Sequence, residues 1–207
     1  ITGSEFTSAT VGNNVVVAVG NDSITLADAA QIASLNISGT RSKLFILTDG
    51  NDDYNNTTDD ATIAALGGDD TIISGDGDYF RYAYVNVSIE GGAGNDRIAN
   101  WEGNNSTLLG GNGNDTIRNG FADSVKIYGG EGDDSIDNSV GNSATIDGGA
   151  GNDTIENVSN EVTILSGAGN DSVYNNGSSI SVDSGDGDDS IRNSWSSHDV
   201  TIDAGDG

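Results

Sequence analysis

The sequence predicts an all-β fold, a parallel β-roll or β-solenoid whose coils each take 18–19 residues. Three observations lead there. First, one decapeptide recurs six times: GGAGNDRIAN (91–100), GGNGNDTIRN (110–119), GGEGDDSIDN (129–138), GGAGNDTIEN (148–157), SGAGNDSVYN (166–175) and SGDGDDSIRN (184–193). Second, the last Asp of each copy falls at Asp96, Asp115, Asp134, Asp153, Asp171 and Asp189, in steps of 19, 19, 19, 18 and 18 residues. Third, the residues between copies alternate apolar and polar, the pattern of a strand with one buried face.

Each coil therefore holds two short strands of three to five residues. After the Asp come Thr or Ser, an apolar residue, a variable residue and Asn; Ile98, Ile117, Ile136, Ile155, Val173 and Ile191 hold the apolar slot. The second strand precedes the next Gly pair and buries Val87/Ile89, Val125/Ile127, Ala144/Ile146, Val162/Ile164, Ile180/Val182 and Val200/Ile202. Two degenerate copies lie upstream. ATIAALGGDDTIIS (61–74) aligns with ATIDGGAGNDTIEN (144–157) and puts Asp70 in register, and LTDGNDDYNN (47–56) does so for Asp52. The step from Asp70 to Asp96 is 26 residues, so that coil carries a seven-residue insertion around 75–84. Parallel stacking at about 4.8 Å per coil makes eight coils a column roughly 40 Å long.

The Asn that closes each first strand (Asn100, Asn119, Asn138, Asn157, Asn175, Asn193) has two readings. It is either an internal amide ladder, each side chain bonding the next coil, or a turn residue tolerant of left-handed backbone. Arg118 and Asp137 share an outward slot on adjacent coils, a surface contact worth little. Trp101 and Trp195 follow the Asn and belong at the turn opposite the glycines.

Residues 1–43 break the pattern and read as a β-rich junction or cap from a preceding module, with a GND turn at 20–22 and a short helical stretch near 26–34. The solenoid occupies 44–207 and stops partway through another Gly-x-Gly, with no Met at position 1, so the chain reads as a piece of something longer.

Composition narrows the function. The formal charge is −26, from 33 acidic against 7 basic side chains. Nucleic acid and anionic membranes would be repelled, and cations are the natural partners. No apolar run reaches the length of a membrane span, so membrane insertion is not expected. Leu, Ile, Val and Phe make up about 22% of the chain, close to the level at which a highly charged sequence stays disordered. With no Cys, neither disulfides nor thiolate metal sites can compensate.

The decapeptide offers another means. Glycines permit φ > 0 and let several carbonyl oxygens face one spot, and the Asp adds a carboxylate. Calcium takes six to eight oxygens, many of them backbone. One turn cannot supply that number, whereas two turns one coil apart can. The single His and absent Cys exclude a soft-metal array. The expected ligands are Asp52, Asp70, Asp96, Asp115, Asp134, Asp153, Asp171 and Asp189 through side chains. Backbone carbonyls are expected from Gly92, Gly94, Gly111, Gly113, Gly130, Gly132, Gly149, Gly151, Gly167, Gly169, Gly185 and Gly187. About one Ca²⁺ would lie between each pair of adjacent coils.

GGAGNDTIE fits GGxGxDxUx (U apolar), and on this motif residues 44–207 resemble the RTX (repeats-in-toxin) calcium-binding β-roll. RTX rolls repeat the nonapeptide every nine residues and bind calcium along both edges. Here the intervening halves, such as VSNEVTILS (158–166) and WEGNNSTLL (101–109), lack the motif, so one edge is expected to bind metal and the other to be a plain turn. A 19-residue coil of this kind is similar to extender and ice-binding regions of giant bacterial adhesins. The resemblance implies a stalk, spacer or scaffold of a large secreted or cell-surface bacterial protein, unfolded at cytosolic calcium and rigid outside. The alternative is a building unit of an extracellular filament, since open solenoid ends can stack on further copies, end to end or side by side.

Other functions fit less well. The carboxylates all sit in repeated slots and His198 reads as solvent-facing, so no enzyme active site is expected; such repeats are also found appended to exported enzymes. Ice binding needs regular outward files, yet Ala93, Asn112, Glu131, Ala150, Ala168 and Asp186 form an irregular, charged one. The file Asn95, Asn114, Asp133, Asn152, Asn170 and Asp188 is tidier. The insertion gathers Tyr79, Phe80, Tyr82 and Tyr84 around Arg81, which suits either a recognition surface or, more simply, a loop folded over its own coil.

Overall fold

Strands of two lengths alternate along the chain because glycine pairs prolong one of them. A computed structural model describes residues 6–11, 14–19, 22–26, 43–75 and 84–206. Every described element is a strand. The larger sheet has twelve: β1 (Phe6–Val11), β2 (Asn14–Val19), β3 (Asp22–Leu26), β4 (Lys43–Ile46), β6 (Ala61–Ala64), β8 (Ser88–Ala93), β10 (Thr107–Asn112), β12 (Lys126–Glu131), β14 (Thr145–Ala150), β16 (Thr163–Ala168), β18 (Ile180–Asp183) and β20 (Val200–Asp203). The smaller has eight: β5 (Asp53–Asn56), β7 (Thr71–Ser74), β9 (Arg97–Asn100), β11 (Thr116–Asn119), β13 (Ser135–Asn138), β15 (Thr154–Asn157), β17 (Ser172–Asn175) and β19 (Ser190–Asn193). From β4 onward each strand pairs in parallel with its equivalent one coil away, which makes the chain an all-β parallel β-solenoid. In the larger sheet β8, β10, β12, β14 and β16 reach six residues, longer than the alternation predicted, because the Gly pair stays in the ladder, as in Gly111↔Gly92.

The interior is lined by aliphatic side chains from both sheets. Ile98, Ile117, Ile136 and Ile155 from one sheet meet Ile89, Ile127, Ile146 and Ile164 from the other, all fully or almost fully buried. Each aliphatic side chain so buried contributes about 2 kcal/mol. Ile191, Val200 and Ile202, on the last described coil, are only partly covered. At the other end β1, β2 and β3 pair antiparallel and extend the larger sheet through β3 to β4. Of the GND at 20–22 only Asp22 is described, opening β3; of the stretch near 26–34 only Leu26 is, closing β3. Most of the aromatic insertion also lies outside the described residues, while Tyr84 is described and packs against the core.

The amide ladder forms. Nδ2 of Asn119 donates to Oδ1 of Asn138 at 2.8 Å, Asn138 to Asn157 at 2.9 Å, Asn157 to Asn175 at 2.9 Å and Asn175 to Asn193 at 2.7 Å. The second hydrogen of each amide goes to its own turn, to Ala122 O for Asn119 and to Ser159 O for Asn157. The acceptor is three residues on in the 19-residue coils and two on in the 18-residue coils, so the shorter coils lose their residue at this turn.

That turn is more specific than a plain connection. Asn105, Ser124, Ser143, Glu161, Ser179 and Asp199 all adopt left-handed backbone, with φ between 55° and 61°. Side chains stitch it along the axis, Asp123 N–H to Asn104 Oδ1 at 2.7 Å and Asn142 N–H to Asp123 Oδ1 at 2.8 Å. Trp101 and Trp195 lie on this side. Trp101 stacks beneath the Arg118 guanidinium at 4.9 Å, and Trp195 is 97% exposed. Arg118 also reaches Asp137 at 3.3 Å, as their shared slot requires.

Candidate metal-binding edge

On the glycine edge the chain doubles back through positive φ. Gly111 and Gly113 have φ of 122° and 123°, and a Cβ on either would fall under 3.0 Å from the carbonyl oxygen of Gly92 or Gly94 in the coil before. The carbonyls of the glycines at the second and fourth positions of the motif thus face the Cα of their equivalents one coil on. Only glycine permits both the dihedral and the approach.

The two acidic or amide residues of [ND]D point in opposite directions. The first hydrogen-bonds forward along the outside: Asn114 N–H donates to Asn95 Oδ1 at 2.7 Å, Asp133 N–H to Asn114 Oδ1 at 2.9 Å and Asn152 N–H to Asp133 Oδ1 at 2.7 Å. Asn and Asp interchange here because both present Oδ1. The second turns inward and bonds backward: Asp96 N–H donates to Asp115 Oδ1 at 2.7 Å, Asp115 N–H to Asp134 Oδ1 at 2.7 Å and Asp134 N–H to Asp153 Oδ1 at 2.8 Å. The series starts at Asp52 N–H to Asp70 Oδ1 and ends at Asp171 N–H to Asp189 Oδ1, crossing the insertion without losing register. All eight predicted aspartates therefore stand in one file.

Their other oxygen is the anomaly. Oδ2 of Asp70, Asp96, Asp115, Asp134, Asp153, Asp171 and Asp189 is buried and has no hydrogen-bond partner. Asp96, Asp115, Asp134 and Asp153 are only 1–2% exposed. Unpaired buried charge is expensive, and stacked like charges add repulsion. Burial pushes the carboxyls of Asp70, Asp115, Asp134 and Asp153 up to about 6; the backbone donor at Oδ1 opposes it, and neighbouring aspartates add to it. Asp96 and Asp171 are raised chiefly by burial too. Exposed Asp133, next to Asp134 in the chain, moves the other way because Asn152 donates to it.

A further oxygen joins each of four of these carboxylates. A Cβ on Gly91 would lie under 3.0 Å from both Asp96 Oδ2 and the carbonyl oxygen of Gly110. Gly110, Gly129 and Gly148 show the same arrangement with Asp115, Asp134 and Asp153 and with the carbonyls of Gly129, Gly148 and Ser166. Each is a cradle that a side chain would fill. The sequence pattern points to carbonyls at the second and fourth positions of the motif; the carbonyl beside the carboxylate comes instead from the first, whose only mark in the sequence is the GG doublet. Among the described residues no three His, Cys, Asp or Glu side chains are grouped to hold a metal ion, so any cation here would rely on the stacked carboxylates and backbone oxygens. An all-oxygen donor set with orphaned, buried carboxylate atoms fits a hard divalent cation.

His198 lies away from this edge on the last coil, exposed, with Nδ1 2.9 Å from Asp199 Oδ2.

Fold and edge together define a β-solenoid repeat protein with an interior acidic file. No family model matches the chain, and no match to it is found among curated proteins or solved structures.

Proposed function

We propose that this chain is a calcium-stabilised structural region, a stalk, spacer or scaffold of a large secreted bacterial surface protein or adhesin. One observation carries the metal: seven buried aspartate oxygens with no donor, in a single file. The Asp Oδ2 atoms and the first-glycine carbonyls would hold the ions, with Oδ1 kept in place by the backbone of the coil before. Bound calcium supplies the positive charge that the file lacks. Because ligands from two coils meet only in the folded column, binding and folding are one event. The secreted setting follows from the resemblance to RTX rolls and from the high calcium found outside cells. A solenoid of repeated coils, with all its described acidic cradles in equivalent slots, suits a load-bearing spacer better than a unique catalytic centre.

Far-ultraviolet circular dichroism of the purified chain tests this. A disordered spectrum in EDTA that turns to β in millimolar calcium supports it, and an unchanged β spectrum in EDTA refutes it.

A further inference from the structure

We infer that the chain takes cations at only four coil steps, those opened by Gly91, Gly110, Gly129 and Gly148, and closes its remaining steps with its own side chains. The inference rests on the calcium reading above and deepens it, because it says which steps bind.

The discriminating position is the first residue of the decapeptide. Where it is glycine, nothing stands between Asp Oδ2 and the carbonyl oxygen of the next coil, and a Cβ placed there would meet both. In the coil of Asp171 this residue is Ser166. Its Cβ occupies the cradle, and its hydroxyl donates to the Ser184 carbonyl at 3.1 Å, the oxygen equivalent to that of Gly110. Ser184 repeats the substitution and its Cβ fills the same place, while its hydroxyl reaches Asp203 O at 3.5 Å, one residue before the equivalent carbonyl. In the coil of Asp70 the residue is Ala65, fully buried, so the space is filled there too. Asp52 goes further. Its Oδ2 accepts both the backbone N–H of Thr48 at 2.8 Å and the Thr48 hydroxyl at 2.9 Å, so the carboxylate is already satisfied. A cation needs several oxygens free at once. At these outer coils the space between carboxylate and carbonyl is filled or, at Asp52, the carboxylate is already bonded. Oδ2 of Asp70, Asp171 and Asp189, although it too lacks a donor, therefore has no opening in which to share a cation with the next coil, and the metal column is confined to the middle of the solenoid.

The test is a calcium count on the full chain, by isothermal titration calorimetry and by elemental analysis after removal of free ion. About four tightly bound ions are expected for the unaltered chain and about six for the double variant S166G/S184G, with about three for G110S. The serine-to-glycine variant adds capacity, so the inference does not depend on G110S folding. Seven ions in the unaltered chain, or a count unchanged in S166G/S184G, overturns the inference and leaves the calcium reading standing. No binding by any variant removes both.

Discussion

Oδ1 of Asp115 accepts the backbone N–H of Asp96 at 2.7 Å, while Oδ2 of the same buried carboxylate meets no donor. One half of the side chain ties two coils together and the other half is held as an unpaired acceptor. The stabilising and destabilising roles of Asp115 can therefore be separated by experiment.

Asp115→Asn keeps the Oδ1 acceptor and removes the charge. In EDTA we expect the variant to be more stable than the parent, by about 1–3 kcal/mol, since a buried unpaired charge is gone. In calcium the order reverses, because the cradle opened by Gly110 loses its carboxylate. Circular dichroism in EDTA, where the variant should keep more β signal than the parent, and thermal melts in calcium check this crossing.

The same carboxylates give an unusual pH response. Their folded pKa near 6 for Asp70, Asp115, Asp134 and Asp153 lies above the ordinary carboxylate value, so below 6 the folded chain holds more protons than the unfolded one. Calcium-free stability is then greatest near pH 4 and falls as pH rises through 6. Calcium binding runs the opposite way, weakening on acidification as protons compete. The β signal in EDTA, followed from pH 4 to 7.5, should fall with rising pH, and denaturant midpoints in saturating calcium over the same range should rise.

Leu66 occupies the slot of Gly92 one coil earlier and is forced to φ of 79°. It is 38% exposed, so little burial is lost on removal. Leu66→Gly should stabilise the chain by about 1 kcal/mol through relief of left-handed strain. A lower melting temperature would contradict this account of the eroded repeat.

Asn138 bonds Asn119 on one side and Asn157 on the other. Asn138→Ala leaves one buried Asn119 amide hydrogen without an acceptor and Asn157 Oδ1 with only the Ser159 N–H, and should cost about 1–3 kcal/mol. Arg118→Ala, by contrast, breaks only an exposed pair and a ring contact and should cost under about 1 kcal/mol. Thermal melts of both variants in saturating calcium test the difference.

Much of this architecture was legible because periodicity is a global signal that survives local erosion. Asp52 and Asp70 stand in the file although their glycine pairs are degraded, and the seven-residue insertion falls where the step lengthens to 26. The amide ladder could be posed from the Asn register but not decided, since a turn residue and a ladder residue look alike in sequence. Three features depended on side-chain direction, which spacing does not encode. These are the opposite aim of Asn95 and Asp96, the capture of Asp52 by Thr48, and the carbonyl of Gly110 beside Asp96. The left-handed file at Asn105, Ser124 and Ser143 was hidden because no glycine marks it; short polar residues tolerate that backbone at some cost.

Anomalous diffraction from a crystal grown in millimolar calcium tests the central claim most directly. The account predicts strong calcium peaks inside the glycine edge, touching Oδ2 of Asp96, Asp115, Asp134 and Asp153. Peaks absent from that file, with water or an outward-turned carboxylate in their place, would contradict it.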